Sequence, residues 1–348
     1  MIQLLHKWGT FMNKTTFTGS AVQNAIKSKI TKITFVLLGL IVISSLASEY
    51  FLTFYNIQSV TRDLAFVSII AIAQSCLLLL GELDLSVGKI AALCGILSGL
   101  LMVQYKVPPV LAIVICILLG ALFGLLNGLI ITGLKLNAMI VTIGMQSVYG
   151  GIILVLTRGK AITNIPKGIS FLGSGSIAGI PVPFLFMLLI LTGIIFLVKF
   201  TRFGRYIYAI GNSREAATIL GIKTNRVRLG VYALVGMVSA FAGLLMVARL
   251  GTAQPSIGDS WPLNGIAAAV IGGVALTGGD GNPLGALIGA MIISIIQNMI
   301  VLFGINIYWQ TAVSGIVVVL AISIDPLTNL LRNAQKKRAR NKELKVRQ

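Results

Sequence analysis

Long apolar segments alternate with short polar ones along nearly the whole chain. A helix needs about 20 apolar residues to cross the hydrocarbon core of a bilayer. The segments near 64–80, 184–200, 264–277 and 309–324 are rather short for this, and 64–80 and 264–277 could be re-entrant. The pattern predicts an all-α polytopic membrane protein with about ten transmembrane helices, some of them short or broken. The ten predicted spans lie near 32–52, 64–80, 88–104, 110–133, 138–157, 184–200, 229–249, 264–277, 283–303 and 309–324.

Two polar interruptions, at 81–88 and 278–285, leave too little chain for an ordinary loop. Each runs from one glycine through six residues to another, and irregular backbone at membrane depth needs protein or a water-filled cavity around it. Paired interruptions in two halves indicate an internally duplicated transporter. Three interpretations stay open: tight cytosolic turns with Asp84 and Asp280 as helix caps, solute-binding segments, or turns that flank a docking helix. The residues of these broken-helix motifs are Gly81, Asp84, Ser86, Gly88, Gly278, Asp280 and Gly285.

A polar loop at 199–228 carries seven basic residues and the sequence Glu-Ala-Ala-x-x-x-Gly. It predicts a short helix in which Asn212 is the N-cap, Glu215 closes a capping box and Gly221 ends the last turn. Ala216 and Ala217 would leave a flat face suited to close contact with another protein. A partner is therefore expected to dock on this segment.

The chain is 56% apolar and only 11% charged, whereas soluble domains carry roughly a quarter of charged residues. The net charge of +19 does not indicate nucleic acid, because the basic residues lie at the ends of spans. With a cytosolic N-terminus, 22 of them, Lys89 included, fall inside and 6 outside. The positive-inside rule then predicts that both termini lie in the cytosol. The predicted regions are a cytosolic arm at 1–31, a transmembrane domain at 32–325 with a cytosolic loop at 201–228, and a basic cytosolic tail at 326–348.

Several uncharged polar residues fall within predicted spans. They either form hydrogen bonds between helices or line a path for a neutral, hydroxyl-rich solute. The predicted span centres carry no Lys, Arg, Asp or Glu, so the sequence predicts no ion pathway and requires an energy source outside the membrane. The candidate pathway residues are Gln74, Asn127, Gln146, Tyr149, Gln297 and Asn298.

Enzymatic chemistry is not expected. The chain lacks the phosphate-binding loop Gly-x-x-x-x-Gly-Lys-Ser/Thr, and His6 is its one histidine. Cys76, Cys94 and Cys116 fall inside apolar spans and are interpreted as packing residues. We therefore predict no catalytic residue, no metal site and no cofactor.

Several separate motifs occur in one order between about residues 60 and 325. Two are Asp-Leu-Ser-Val-Gly at 84–88 and Gly-Arg-Tyr-Ile-Tyr-Ala-Ile-Gly at 204–211, followed by Glu215-Ala216-Ala217 with Gly221. Others are Ala-Gln-Pro at 253–255, Ile-Ala-Ala at 266–268 before a Gly-Gly pair, and Tyr-Trp-Gln at 308–310. Together they resemble the permease subunits of carbohydrate ABC importers, most closely the ribose type. One departure is Glu82, where relatives commonly have glycine.

The resemblance implies a permease domain in the plasma (bacterial inner) membrane with 201–228 as its coupling loop. It also implies a second permease subunit, two cytosolic ABC ATPase subunits and a periplasmic or lipid-anchored solute-binding protein. It also implies that Glu215 to Gly221 forms the coupling helix and that the solute is a ribose-like monosaccharide. An autoinducer-2-like furanosyl signal, a nucleoside or another hexose stays open within the family. Outside it, the alternatives are a secondary transporter, and a channel or structural membrane protein.

Overall fold

The structure is a computed structural model that describes residues 29–306, 308–317, 319, 320 and 323. The arm before residue 29 and the basic tail at 326–348 lie outside the described residues. The helices are α1 (Lys29–Ala47), α2 (Phe54–Leu79), α3 (Val87–Val103), α4 (Pro109–Gly133), α5 (Ala138–Thr157), α6 (Ser170–Ser174), α7 (Val182–Phe200), α8 (Arg202–Asn212), α9 (Arg214–Ile219), α10 (Thr224–Leu250), α11 (Trp261–Ile271) and α12 (Pro283–Leu302).

The prediction of an all-α polytopic membrane protein is confirmed. Within the described part of the chain, seven helices are long and apolar enough to cross a membrane, namely α1, α2, α4, α5, α7, α10 and α12. Two apolar helices are shorter, α3 with 17 residues and α11 with 11, and residues 309–317 are helical. The exact count of ten spans is therefore not confirmed, and both this count and the internal duplication stay predictions.

The expectation of a short span at 64–80 is wrong. The helix there, α2, has 26 residues and begins ten residues earlier, at Phe54. Its first turns contain Asn56, Arg62 and Asp63, which lower the hydropathy without interrupting the helix, and Thr53 accepts a hydrogen bond from the backbone N–H of Asn56. Since most of α2 is buried, this helix forms the centre of the bundle.

The segment before α11 enters the bundle without helical structure. Trp261, the first residue of α11, packs its ring against Phe66 at 6.1 Å between centroids. Phe66 is halfway along α2, so α11 begins near the mid-level of the bundle. The non-helical segment at 251–260 therefore reaches about half the depth of the protein. Near the end of this segment, Gly258 contacts α3: a Cβ built on Gly88 would lie 2.2 Å from the carbonyl oxygen of Gly258.

Helices α4 and α10 touch backbone to backbone. A Cβ on Gly124 would lie 2.1 Å from the Tyr232 carbonyl oxygen, and one on Gly236 would lie 2.2 Å from that of Gly120. Small residues allow this close approach and commonly mark helix interfaces in membranes. The contact fixes the position of α10, which starts at Thr224 near the end of the polar loop at 199–228.

The connection between α5 and α7 carries the small amount of β structure among the described residues. Strands β1 (Ser176–Ile177) and β2 (Ile180–Pro181) pair antiparallel, next to α6 and a 3-10 turn at Lys167–Ile169. Ile162 forms an isolated bridge with Ala253. This connection therefore holds the start of the 251–260 segment.

Candidate functional site

The two broken-helix motifs meet at the end of α8. The backbone N–H of Gly279 donates to the carbonyl oxygen of Leu79 at 2.9 Å. A Cβ on Gly211 would lie 1.9 Å from that same oxygen and 2.5 Å from the Gly279 nitrogen. We call the contact between Leu79 to Gly81, Gly211 to Asn212 and Gly278 to Gly281 the three-segment junction. Its geometry agrees with the interpretation in which both turns flank the docking helix.

Side chains of α8 bind the second motif. The Tyr208 hydroxyl donates to the Gly281 carbonyl oxygen at 2.8 Å, and the Asn212 amide donates to that of Gly279 at 3.4 Å. Burial raises the pKa of the Tyr208 hydroxyl, and the nearby Cys76 and Asp280 raise it further. The hydroxyl therefore stays protonated and remains a hydrogen-bond donor, which keeps α8 attached to this motif.

A buried ion pair connects the first motif to α10. Arg228 donates through Nε to Glu82 Oε1. The side chains are 3% and 12% exposed, so this pair is largely shielded from water. It links the turn after α2 to the first turns of α10.

Asp84 and Asp280, the carboxylates of the two broken-helix motifs, are not the N-caps of the helices that follow them. The N-cap of α12 is Asn282, whose side chain accepts from the Leu284 backbone N–H, so Asp280 is not a cap. Asp280 instead pairs at 2.5 Å with the Lys29 ammonium of α1. Asp84 lies two residues before the α3 N-cap, Ser86, and accepts from its backbone N–H at 2.7 Å.

The predicted docking helix exists as α9, but its N-cap is wrong. Ser213 occupies the cap position, and its hydroxyl accepts from the backbone N–H of Ala216 at 3.2 Å. Asn212 is the last residue of α8, because its amide is held by the junction. The prediction that Gly221 ends the helix is confirmed, since this residue has a φ of 81°.

The prediction that Ala216 and Ala217 form a flat outer face is also wrong. Ala217 is buried at 2% exposure and packs into the core, whereas Ala216 and Glu215 face outward. The largest exposed apolar side chains of this region are Ile219, 85% exposed, and Leu220, 79% exposed. Beside Leu220 lies a groove of about 650 Å³ lined by Phe203, Tyr206 and other residues. Two large apolar residues in a row inside a polar loop were a sequence signal for this surface.

Three of the candidate pathway residues form one buried polar cluster with the first motif. Gln74 donates to the Asp84 carbonyl oxygen at 2.5 Å. Asn127 donates to the Ser86 hydroxyl at 2.7 Å and to the Asp84 carboxylate at 3.3 Å. The Tyr149 hydroxyl donates to Asn127 Oδ1 at 2.9 Å. Because these groups bind one another, hydrogen bonding between helices describes Gln74, Asn127 and Tyr149 better than a solute path.

Replacing Asn127 by leucine is expected to destabilise this cluster. The change removes the amide that donates to Asp84 and Ser86 and leaves buried acceptors unpaired, which costs about 1–3 kcal/mol per group. We expect a lower thermal unfolding midpoint in detergent. Leu126→Asn, on the exposed side of α4, serves as the control for side-chain polarity. An unchanged midpoint for the leucine variant would contradict the role given to the cluster.

Gln297 and Asn298 lie elsewhere, in a cavity of about 770 Å³. Asn298 and Asn56 exchange two amide hydrogen bonds of 2.8 and 3.1 Å, and Gln297 donates to the Ser314 hydroxyl at 3.1 Å. The remaining candidate, Gln146, is half-buried on α5. The cavity also contains residues that the sequence did not single out, among them Tyr50, Asn56, Asp63, Trp261 and Asn264.

Lys89, expected on the cytosolic side, lies deeper in the bundle. It is the third residue of α3 and follows Gly88, which contacts Gly258, and Gly258 is three residues before the mid-level Trp261. Lys89 pairs with Asp259. The sequence hid this pair because Asp259 lies in the 251–260 segment, outside any predicted span. In the part of the chain that the structure describes, no group of three or more His, Cys, Asp or Glu is arranged to hold a metal ion.

Comparisons with known proteins agree with this architecture. The family described as branched-chain amino acid transport system / permease component matches residues 56–322. The ribose import permease protein of Bacillus subtilis is 40% identical over 82% of this chain and 89% of its own length. That of Haemophilus influenzae is 36% identical over 82% and 90%, and the D-allose transport system permease protein of Escherichia coli is 32% identical over 84% and 91%. No solved structure gives a significant match.

The family match and these relatives each cover more than two thirds of the chain. The chain therefore belongs to the family of branched-chain amino acid transport system permease components, and it is similar to sugar import permeases.

Proposed function

We propose that this chain is the permease subunit of an ATP-driven importer for a monosaccharide of the ribose type. The names of the relatives described above, which are permeases for ribose and D-allose, support a sugar as the solute. An autoinducer-2-like furanosyl signal, a nucleoside or another hexose is the alternative within the same scaffold. A secondary transporter is the alternative class, and it would not need a surface for an ATPase.

The observation that carries the proposal is the position of α9. This short helix follows α8 directly, and α8 ends in the three-segment junction where both broken-helix motifs meet. Its outer side presents Ala216, Ile219 and Leu220. Exposed apolar side chains in a cytosolic loop are expected to be covered by a partner. A cytosolic ATPase subunit is the occupant that such an importer requires.

The same contacts give the proposal a mechanical route. A displacement of α9 moves α8, whose Tyr208 and Asn212 are bound to the second motif. It also moves the start of α10, which Arg228 attaches to the first motif. A movement of this one cytosolic surface would therefore displace both broken-helix motifs. The free energy comes from the different affinities of two conformations for ATP in the partner subunits.

The remaining parts of the assembly follow from the proposed function. A second permease subunit, identical or related, completes the translocation path, and a periplasmic or lipid-anchored binding protein delivers the solute to the outer face. The chain lies in the bacterial inner membrane with both termini and α9 in the cytosol. Hydrolysis of ATP takes place in the partner, so this chain carries no catalytic site.

Substitutions on α9 test the docking surface. Ile219→Asp and Ala216→Arg change only exposed side chains, so membrane insertion is expected to be normal while ATPase co-purification and sugar uptake are lost. Ile177→Asp on the exposed β1 strand is the matched control and should leave co-purification unchanged. If the ATPase still co-purifies with both α9 variants, the partner docks elsewhere. Uphill accumulation by the permease alone in vesicles would favour a secondary transporter.

A further inference from the structure

A charged pair lies inside the bundle. It is separate from the three-segment junction and from the buried polar cluster around Asp84. The Lys89 ammonium is 2.6 Å from Asp259 Oδ1 and 3.4 Å from the carbonyl oxygen of Pro255. Lys89 is the third residue of α3, and Asp259 lies at the end of the non-helical 251–260 segment. The pair therefore connects a helix to the least regular part of the bundle.

Two contacts place this pair near mid-depth. Gly88 touches Gly258 closely enough that a Cβ on Gly88 would lie 2.2 Å from the Gly258 oxygen. Trp261, two residues after Asp259, packs against Phe66 at the middle of α2. A charged side chain at such a depth is costly in lipid, and intramembrane ionisable residues commonly mark substrate pathways.

The exposure of the pair shows that it does not face a sealed interior. The Lys89 side chain is 22% exposed and that of Asp259 is 55% exposed. Beside Lys89, α5 presents a glycine: a Cβ on Gly150 would lie 3.8 Å from the Lys89 side chain. A half-exposed carboxylate needs water or polar groups in front of it. The exposed side of Asp259 is where these groups would lie.

We propose that Lys89 and Asp259 form a solute-contacting site halfway along the translocation path. Asp259 accepts hydrogen bonds from the hydroxyl groups of the solute, and Lys89 donates to its oxygen atoms. Anion and cation pores use rings of a single charge sign, whereas this pair offers a donor and an acceptor with no net charge. It therefore suits a neutral polyhydroxylated solute. This inference rests on the proposed function and identifies a contact point for the same solute.

The reactivity of an introduced cysteine tests whether the site is accessible to water. In the complete complex, with Cys76, Cys94 and Cys116 replaced by alanine, Asp259→Cys is expected to react with a membrane-impermeant charged methanethiosulfonate. The sugar, delivered by the binding protein, should slow the reaction. Leu118→Cys, at an exposed apolar position of α4, is the control and should react far more slowly. Equal rates at the two positions would overturn the proposal.

Transport by charge variants separates a solute contact from a structural tie. Asp259→Asn and Lys89→Gln should lower uptake about tenfold or more, since hydrogen bonds to charged groups are worth about 1.5–3 kcal/mol each. The swapped double variant, Lys89→Asp with Asp259→Lys, keeps the attraction but reverses donor and acceptor. It should restore the amount of folded complex without restoring the wild-type order of preference among deoxy sugars. Full recovery of uptake and preference would show a structural tie and contradict the site.

These results are distinguishable from a failure of the proposed function. If the wild-type complex accumulates no monosaccharide although its ATPase is active, the proposed function fails whatever the labelling shows. If it accumulates the sugar but Asp259→Cys is unreactive and Asp259→Asn transports normally, the site alone is wrong.

Discussion

Replacing Gly211 by alanine is expected to abolish most uptake, although the change adds only one methyl group to a helix. The new Cβ would lie 1.9 Å from the Leu79 carbonyl oxygen and 2.5 Å from the Gly279 nitrogen, and both of these atoms belong to backbone. Overpacking of this kind costs about 1–3 kcal/mol. The strain falls on the Gly279 to Leu79 hydrogen bond, so α8 and the two motifs should separate. A loss of about tenfold or more in uptake is expected.

The measurement is solute uptake and ATPase activity in reconstituted vesicles, compared at equal amounts of assembled complex. Gly133→Ala is the matched control: it also adds a methyl group at a glycine in the last turn of a helix, here α4, but the added atom would meet nothing within 4 Å. The Gly211 variant should hydrolyse ATP without matching transport. Normal coupling in this variant would show that the three-segment junction does not transmit the movement of α9.

The second large effect is expected at Arg228. Arg228→Met leaves the Glu82 carboxylate buried without its partner, and breaking a buried ion pair in this way costs about 3–5 kcal/mol. The expected result is a markedly lower thermal unfolding midpoint and little folded complex. The double variant with Glu82→Gln removes both charges and should recover much of the stability.

An exposed pair provides the control for this experiment. Lys29→Met removes the partner of Asp280, but both side chains of that pair are largely exposed, and surface ion pairs contribute only about 0–1 kcal/mol. Its unfolding midpoint should change little. If Arg228→Met behaves like Lys29→Met, the Glu82 to Arg228 pair does not stabilise the connection between α2 and α10.

Much of the fold was accessible from sequence because the bilayer imposes a simple length and hydropathy rule. Helices α4, α5, α7 and α12 begin and end within a few residues of the predicted spans. The rule failed where polar residues continue a helix, as in the first turns of α2. It also failed at Gly272 and Gly273, where an apolar segment stops being helical. Hydropathy measures neither helix continuity nor backbone conformation.

The site was predicted only in part, for a different reason. The polar residues Gln74, Asn127 and Tyr149 were recognisable one by one, but their assembly around Asp84 depends on contacts between four distant parts of the chain. The cap of α9 moved to Ser213 because a tertiary contact of Asn212 with Gly279 competes with local capping. The Lys89 to Asp259 pair joins residues 170 positions apart, and one sequence carries no signal for such a contact.

The backbone contact between α4 and α10 has a consequence for how the bundle changes shape. Where two helices meet through glycine backbone, few side chains lie between them that could repack, so the two helices should move together as one stiff unit. A second contact of this kind joins α11 to α12, where a Cβ on Gly289 would lie 1.9 Å from the Ala268 carbonyl oxygen. A change between the outward and inward openings should therefore displace two stiff pairs relative to each other, α4 with α10 and α11 with α12.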